Sequence, residues 1–487
     1  MTSVSKKVTK GVGWVTLSTA GSQGLRLLVK LVLARVLLPE HYGLIGMAYV
    51  FNSLVSLISE FGMGAALIQK KEEELTNSHF NTVFWINSVV SVVGYLLIAF
   101  ALSPLAVWFY GEALLAEIIP VIAISIVIDS LYLVHRSKLT REMNFMPQAI
   151  IELSAMAVAG TIAVYMAFNG YGVWSLAFNG IINSVFSLVG YYGYVKWKPQ
   201  LEISFSAFKE LFNFGGFILI ENIFYFITNN IDYILIGKLI GSTALGAYTL
   251  AFILTDTLRK RTTQTFSKVL FPAFASFQDD KKKIKRYYLG IVSIVSCLLI
   301  PIMMILIFFS EPIVFIGFGL EWSATIVPLQ LLSVAVIIDS VLGTVSPVLK
   351  GMGRADLLVK VGVFTTFAVA IPGISIGAYY FGINGAAAAV LLYRLISNSI
   401  YQYYVRLLLD ISFTQILQAF LKPLIVSVVF IYLSKLISDI FSLDMLLKTG
   451  LGISIFLVFY MMYIMYFEKE LVVRFISILK KNKKNND

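Results

Sequence analysis

The chain has 487 residues, of which 58% are hydrophobic and only 13% are charged. Soluble domains carry about 25% charged residues, so this composition excludes a soluble protein and predicts an integral membrane protein. The net charge of +11 does not indicate nucleic-acid binding, because the basic residues lie in short loops between long apolar segments, where they set membrane orientation. The single cysteine, Cys297, excludes a disulfide within the chain and a cluster of thiolate metal ligands.

The apolar segments predict an all-α membrane protein with about fourteen transmembrane helices. A membrane-spanning helix needs about 20 mostly apolar residues, and glycine, proline and clustered charges mark where one segment ends and the next begins. The predicted limits are 11–37, 42–66, 81–109, 114–134, 148–168, 171–195, 209–239, 243–270, 287–309, 323–348, 357–380, 383–407, 414–437 and 445–467. Between the ninth and tenth spans, residues 311–322 are predicted to form a loop or a re-entrant turn.

The basic residues give the orientation, because positively charged loops mark the cytoplasmic side of a membrane. With fourteen spans, both termini lie on the side that holds Lys70, the run KKKIKR at 281–286 and the basic tail. The loops on the opposite side contain one lysine, Lys448, with Lys238 near a boundary. We therefore predict that both termini are cytoplasmic. No predicted loop is long enough to form a folded domain outside the membrane.

Three pairs of similar segments indicate an internal repeat. LARVLLPEHYGLIGMAYVF and LIGKLIGSTALGAYTLAF align with an offset of 203 residues, which pairs Gly43 with Gly246. SIVIDS and AVIIDS align with an offset of 210 residues, which pairs Asp129 with Asp339, and YGVWSLA and FGINGAA align at the same offset. Matches in one order at nearly one offset predict a duplicated six-helix unit.

The duplication predicts two pseudo-symmetric lobes around a central cavity. The first lobe would contain residues 1–198 and the second residues 199–410, followed by two extra helices at 411–470 and a basic cytoplasmic tail at 471–487. Because six is an even number, the two lobes would have the same orientation and be related by an axis along the membrane normal. Two lobes that rock about a site near the middle of the membrane suit alternating access.

The first predicted span carries three basic residues, Arg26, Lys30 and Arg35. A charge at membrane depth costs about 2.5–3.5 kcal/mol on insertion scales, so it usually faces protein or a watery cavity. Arg26 and Lys30 are four residues apart and share one helix face, which we predict to line a cationic cavity. For Lys30 and Arg35 the alternative is that the side chain extends to the outer interface. Arg259 and Lys260 either add to this cavity or mark the cytoplasmic end of their helix.

Acidic residues inside the predicted spans are a second group of functional candidates. They are Glu60, Asp129, Glu152, Glu221, Asp232, Asp256 and Asp339. Asp256 lies one helical turn before Arg259, so the simplest interpretation is an ion pair between them. Asp129 and Asp339 lie near the inner ends of their predicted helices. Like Arg394, they are predicted to be structural or gating groups that bind neighbouring helices or loops.

Signatures of catalysis are scarce. The sequence contains neither HExxH nor a glycine-rich phosphate loop followed by GK[ST]. The three histidines, His41, His79 and His135, fall in or beside loops on both sides of the predicted membrane, so they cannot form one metal site. We therefore expect no enzymatic activity, no metal and no cofactor.

Several segments resemble a known family. Four segments of this chain resemble polysaccharide-biosynthesis transporters. They are the start, GVGWVTLSTAGSQGLRLLVKLVLARVLLPEHYGLIGMA, and the later segments FGMGAALIQ, NNIDYILIGKLIGSTALGAYTLAF and LKGMGRADLLVK. These transporters belong to the multidrug/oligosaccharidyl-lipid/polysaccharide (MOP) exporter superfamily, and the resemblance is to the Wzx and teichuronic-acid-export type. It extends over most of the chain and consists of family-level patterns without a catalytic signature.

The resemblance implies a two-lobed transporter of the bacterial cytoplasmic membrane. Such a protein flips an undecaprenyl-diphosphate-linked oligosaccharide from the cytoplasmic to the outer leaflet by alternating access, for surface polysaccharide biosynthesis. A diphosphate needs counter-charges while it crosses a region of low dielectric constant. The candidates for this role are Arg26, Lys30, Arg35, Arg259 and Lys260.

The resemblance also implies energy coupling and partners. Glu60, Glu221 and Asp232 are the candidate carriers of a coupling H+ or Na+. The expected partners are the lipid-linked oligosaccharide, membrane lipids and the polysaccharide polymerase or export machinery. One alternative is a drug/cation antiporter of the same superfamily (the MATE branch), which would have an acidic or aromatic cavity and usually twelve spans. The other is a membrane polymerase or ligase that acts on lipid-linked sugars, against which the missing outer loop argues.

Overall fold

The computed structural model describes residues 21–60, 63–206, 208–210, 226, 228, 230–276, 280–342 and 345–468, and nearly all of them are helical. The chain divides into two compact units, one up to Gly246 and the other from Ala247. This division lies inside one long helix, Ser242–Ser276. The predicted lobes, with their boundary between residues 198 and 199, stay a prediction.

The first unit is built around one apolar helix. It contains α1 (21–36), α2 (Pro39–Glu60), α3 (Met63–Gln69), α4 (Asn77–Leu97), α5 (Ser103–Tyr110), α6 (Leu115–Arg141), α7 (Phe145–Phe168), α8 (Val173–Tyr194), α9 (230–239) and the start of α10 (Ser242–Ser276). Helix α6 packs against α2, α3, α4, α5, α7 and α8. Ile118, Ile119 and Ile122 of α6 are completely buried, as is typical of a helix that is apolar on all sides.

The second unit is a bundle of long helices. It contains α11 (Lys281–Phe308), α12 (Ser310–Gly317), α13 (Ile326–Leu342), α14 (Val345–Gly351), α15 (Ala355–Thr365), α16 (Ile371–Leu409), α17 (Phe413–Ile440) and α18 (Met445–Phe467). Helix α11 packs against α13 and α17, α13 against α16, and α17 against α18. The region predicted as a loop at 311–322 holds α12 and the start of a 3₁₀ helix, Leu320–Thr325, because Val314 and Trp322 are buried there.

Nine helical segments of the described chain are long and apolar enough to cross a membrane. One of them, Ala355–Leu409, has 55 residues and bends at Gly382, whose φ of 58° lies in the left-handed region that favours glycine. The predicted eleventh and twelfth spans, 357–380 and 383–407, meet at this bend. The chain is a multi-pass membrane protein, and the count of fourteen spans stays a prediction.

Two helix starts of the first unit meet at a close glycine contact. A Cβ atom added to Gly43 on α2 would overlap the carbonyl oxygen of Ser242, and one added to Gly246 on α10 would overlap the carbonyl oxygen of Pro39. The offset of 203 that pairs Gly43 with Gly246 also pairs Pro39 with Ser242. The contact is therefore reciprocal between equivalent positions of the repeat, and it requires residues without a side chain.

Candidate functional site

The three basic residues of α1, Arg26, Lys30 and Arg35, are all exposed. The helix packs against α7 through Val29. Near its end, the hydroxyl group of Tyr42 donates a hydrogen bond to the carbonyl oxygen of Lys30 at 2.7 Å, which fixes α1 to α2. The helix is thus held by its apolar side and its last turns, while its three cationic side chains stay accessible.

Arg26 lies close to a tyrosine of the neighbouring helix α2. Its charge acts on the hydroxyl group of Tyr49, and that hydroxyl lies beside Gly180 of α8. Arg26 therefore stands where α1, α2 and α8 come together, and Lys30 follows one turn later on the same face. Arg26 and Lys30 therefore point to the same side of α1. The cationic cavity itself stays a prediction.

Four charged side chains form a cluster in the second unit. Asp256 and Arg259 belong to α10, Asp339 to α13 and Arg394 to α16. Arg259 Nε lies 2.6 Å from Asp256 Oδ1 and 3.5 Å from Asp339 Oδ2. Arg394 Nη1 lies 2.9 Å from Asp339 Oδ2, and Arg394 Nη2 lies 3.5 Å from Asp256 Oδ1. These four residues are termed the four-charge cluster.

The four-charge cluster is buried and electrically neutral. The side chains of Asp256 and Asp339 are 1% and 10% exposed, and those of Arg259 and Arg394 are 19% and 12% exposed. Two positive and two negative charges cancel, which offsets the cost of removing them from water. Asn398 donates a hydrogen bond from Nδ2 to Asp339 Oδ1 at 2.6 Å. The cluster thereby joins α10, α13 and α16.

A group of hydroxyl side chains continues the cluster along α16. Tyr393 interacts electrostatically with Asp339 and Arg394 and lies close to Thr365 and Thr366. Thr365 Oγ1 also donates to Ser397 Oγ at 3.3 Å. The π-helical turn Thr366–Ala370 begins at this point, and such turns are frequent at functional sites. Charged and hydroxyl groups therefore form one polar region inside the second unit.

The equivalent aspartate of the first unit is bound by hydroxyl groups. Asp129 Oδ1 accepts a hydrogen bond from the Tyr132 hydroxyl at 2.8 Å, and the side chain of Ser184 also interacts with Asp129. The ring of Tyr132 stacks on that of Tyr191 with their centroids 5.1 Å apart. The Tyr191 hydroxyl donates to Glu152 Oε1 at 3.2 Å. This network links α6, α7 and α8.

The two aspartate sites are equivalent in the repeat. The offset of 210 that pairs Asp129 with Asp339 also pairs Ser184 with Arg394. In both units the aspartate of one helix therefore contacts the same position of its neighbour, which supports the duplication. Sequence reasoning missed Ser184 and Asn398 as partners. The signal was present, because the offset identifies Ser184, and Asn398 lies one turn after Arg394 on the same face.

The ion pair between Asp256 and Arg259 that the one-turn spacing predicted is present. Asp232 on α9 is buried, and its Oδ1 accepts a hydrogen bond from the backbone N–H of Tyr233 at 3.0 Å. Glu221 and the side chains of Glu60 and Lys260 lie outside the described part of the chain. Among the residues that are described, no three His, Cys, Asp or Glu side chains are arranged to hold a metal ion.

The family of the chain follows from its sequence match. Residues 32–328, more than half of the chain, match the family described as polysaccharide biosynthesis protein. The chain belongs to this family. Its fold and its membrane spans agree with the resemblance seen in the start of the chain and in the segments around α9 and α10.

Three curated relatives extend the similarity over most of the chain. The lipopolysaccharide biosynthesis protein WzxC of Escherichia coli (strain K12) is 28% identical over 83% of this chain and 81% of its own length. The succinoglycan biosynthesis transport protein ExoT of Rhizobium meliloti (strain 1021) is 27% identical over 81% and 78%. The teichuronic acid biosynthesis protein TuaB of Bacillus subtilis (strain 168) is 23% identical over 73% and 74%.

Two kinds of solved structure share the fold. The lipid II flippase MurJ in an inward closed conformation has a TM-score of 0.71 and 16% identity, covering 92% of this chain and 98% of that protein. An inward-facing MATE multidrug resistance transporter of the MOP superfamily has a TM-score of 0.65 and 14% identity, covering 80% and 94%. The described part of the chain is mostly helical and therefore shares the fold of these two structures.

Proposed function

We propose that this protein is a flippase for an undecaprenyl-diphosphate-linked oligosaccharide, which it moves from the cytoplasmic to the outer leaflet for surface polysaccharide biosynthesis. The observation that carries the proposal is the fold shared with a lipid II flippase over 92% of the chain. The family match and the names of the relatives, which concern lipopolysaccharide, succinoglycan and teichuronic acid biosynthesis, support a saccharide as the cargo. Transport, and not bond making, is the proposed activity.

The cations of α1 support a diphosphate as the recognised group. Arg26 and Lys30 are exposed and one turn apart, so both can reach the same anion. Arg35 is exposed further along the helix. Arg259 contacts two carboxylates in the conformation described above, so it would bind a diphosphate only after it leaves them. Lys260, its neighbour in the sequence, is kept as a further candidate.

The remaining parts of the proposal concern orientation, energy coupling and partners. Both termini are proposed to lie in the cytoplasm, because positively charged loops mark the cytoplasmic side of a membrane. Transport is proposed to use H+ or Na+, with Glu60, Glu221 and Asp232 as candidate carriers. The exported intermediate would then pass to the polymerase or export machinery, and no cofactor is assigned to the protein.

The proposed function is tested by locating the lipid-linked intermediates in a strain depleted of this protein. Intermediates that accumulate on the cytoplasmic face, together with loss of surface polymer, are the expected result, and their mass identifies the sugar. Intermediates that reach the outer face without being polymerised would indicate an enzyme instead. If the lipid-linked intermediates change on neither face of the membrane and drug resistance falls, the protein is an antiporter of the MATE type.

The role of α1 is tested by removing two charges. A charge-assisted hydrogen bond contributes about 1.5–3 kcal/mol, so the double variant Arg26→Gln/Lys30→Gln is expected to lower export by at least about tenfold at equal protein level. Lys448→Gln is the matched control, because Lys448 belongs to the second unit, is half-exposed and pairs with Asp439 at a distance of 2.9 Å. Export at the wild-type rate in the double variant would remove Arg26 and Lys30 from the site.

A further inference from the structure

The segment that follows α8 lies along the start of α4. It comprises residues 195–206 and is termed the strap, and from 195 to 204 it is not helical. Trp85 Nε1 donates a hydrogen bond to the carbonyl oxygen of Gln200 at 2.7 Å, and the backbone N–H of Ser204 donates to Thr82 Oγ1 at 2.9 Å. Because Thr82 and Trp85 lie near the start of α4, the strap is fixed to the first turns of this spanning helix.

The strap turns three large apolar side chains away from the protein. Leu201, Ile203 and Phe205 are 90%, 64% and 77% exposed. They follow a tight turn in which the backbone N–H of Glu202 donates to the carbonyl oxygen of Gln200 at 2.8 Å. Beyond this turn they alternate with the residues that bond to α4, since successive side chains of an extended chain point to opposite sides. Large apolar side chains exposed together mark a surface that contacts another apolar partner.

The strap continues the lipid-facing side of α4. Val89, Val93 and Leu96 are exposed on one side of this helix, and exposed apolar side chains of a spanning helix face lipid. Trp85 precedes Val89 by four residues and Thr82 precedes it by seven, so both lie on the same side of α4. The strap covers this side where α4 begins. Its own exposed side chains therefore face the bilayer there in place of those of α4.

Positive charge lies beside the apolar side chains of the strap. Lys196 and Lys198 precede them, and both lysines are exposed. Glu202 is the acidic residue of the strap, and its Oε2 accepts a hydrogen bond from Asn81 Nδ2 at 3.0 Å, which turns the carboxylate towards α4. Trp85, which holds the strap, is of a residue type enriched where a membrane meets water. Cations next to apolar side chains at this level are typical of segments that bind anionic lipid surfaces.

We propose that the strap binds the headgroup layer of an anionic phospholipid bilayer. Lys196 and Lys198 pair with lipid phosphate groups, and Leu201, Ile203 and Phe205 insert among the first carbons of the acyl chains. Interfacial segments of this kind reach about 5–10 Å into the boundary between headgroups and acyl chains. The strap follows the end of α8 on the side proposed to be cytoplasmic, where the leaflet carries a negative surface potential. The proposal goes beyond the proposed function and does not depend on the cargo.

The test locates residue 203 relative to the bilayer. The full chain, with Cys297→Ser and a spin label at one introduced cysteine, is placed in nanodiscs of phosphatidylcholine with an increasing share of phosphatidylglycerol. Power-saturation EPR measures the access of oxygen, which concentrates in lipid, and of a water-soluble nickel chelate. Ile203→Cys is the test position. Val93→Cys gives the lipid reference and Glu73→Cys the water reference, because Val93 is exposed on the apolar side of α4 and Glu73 is exposed in the acidic turn before α4.

Charge variants test the role of the lysines. One lysine near an anionic surface strengthens binding about fivefold, so Lys196→Gln/Lys198→Gln should raise the share of phosphatidylglycerol that immerses the label at 203 by at least about fivefold. Lys281→Gln/Lys282→Gln is the matched control, because it removes the same charge from two exposed lysines at the start of α11 in the second unit. Native mass spectrometry of the unlabelled chain counts the phosphatidylglycerol molecules retained, so the test does not depend on the introduced cysteines.

The expected result is a label at 203 that resembles the one at 93 once phosphatidylglycerol is present, with fewer retained lipids in the strap variant than in the control. A label at 203 that resembles the one at 73 in every lipid would place the strap in water and overturn the proposal. A label closed to both reagents would mean that protein, such as a second copy of the chain, covers the strap. Immersion that depends neither on phosphatidylglycerol nor on the two lysines would overturn the binding of anionic headgroups.

Discussion

The first and second units hold the same aspartate in contrasting surroundings. Asp129 follows SIVI and Asp339 follows AVII, and each contacts the helix that the repeat places beside it. Asp129 is half-buried, accepts a hydrogen bond from the Tyr132 hydroxyl and interacts with the side chain of Ser184. Asp339 is buried among two arginines and a second aspartate. The positions correspond, but the charges around them do not.

This difference bears on how the two units respond to a change of charge. A hydroxyl group can rotate and exchange partners, whereas an ion pair in a medium of low dielectric constant cannot open unless another charge replaces the lost one. The first unit can therefore rearrange around Asp129 without a change of net charge. In the second unit, a rearrangement that separates Arg259 from the four-charge cluster breaks its ion pairs with Asp256 and Asp339.

The largest expected effect is that of Arg394→Met. Removal of one partner from a buried ion pair costs about 3–5 kcal/mol because the remaining charge is left uncompensated. We expect a strongly lowered unfolding temperature in nanodiscs, with much of the loss recovered in Arg394→Met/Asp339→Asn, which restores neutrality. A double variant less stable than Arg394→Met would contradict this account.

The matched control for Arg394→Met is Arg354→Met. Arg354 belongs to the same unit and pairs with Asp356 at 3.1 Å, but both side chains are more than 40% exposed. Exposed ion pairs contribute about 0–1 kcal/mol, so this change should leave the unfolding temperature almost unaltered. Equal losses in the two variants would show that burial does not set the strength of the pairs.

Much of the fold followed from the sequence, because long apolar segments have few alternatives in a membrane. The bend at Gly382 falls between two predicted spans, and the offset of the repeat paired Asp129 with Asp339. The one-turn spacing predicted the pair of Asp256 with Arg259. Contacts between distant helices, such as that of Arg394 with Asp339, depend on the rotation of each helix about its axis, which a single sequence does not determine.

The second largest effect is expected at the glycine contact of Gly43 and Gly246, where the two copies of the repeat have the same residue. Gly246→Ala and Gly43→Ala should each destabilise the protein by about 3 kcal/mol, because the added Cβ meets a backbone carbonyl oxygen that cannot move away. Gly193→Ala on α8 is the control, since no atom lies within 4 Å of its added Cβ. Unfolding temperatures of the three variants give the comparison, and a loss in only one of the two contact variants would show that the contact is not reciprocal.

A smaller effect is expected for Asp129→Asn. The amide keeps an acceptor oxygen for Tyr132 but loses the charge, and a hydrogen bond to a charged group contributes about 1.5–3 kcal/mol. Asp339→Asn should cost more, because it leaves two arginines facing one aspartate. Unfolding temperatures measured side by side test the order. The reverse order would mean that the hydroxyl network, and not the four-charge cluster, is the more strongly stabilised of the two.

The smallest effect is expected for Ser184→Ala, at the position equivalent to Arg394. Only one hydroxyl is removed, and Tyr132 still donates to Asp129. The expected cost is therefore about 1 kcal/mol, several times less than that of Arg394→Met. Ser175→Ala near the start of the same helix, whose buried hydroxyl donates to the carbonyl oxygen of Gly172 at 2.7 Å, gives the background for loss of a serine hydroxyl. If Ser184→Ala proved as costly as Arg394→Met, position within the repeat would explain both losses, and charge would explain neither.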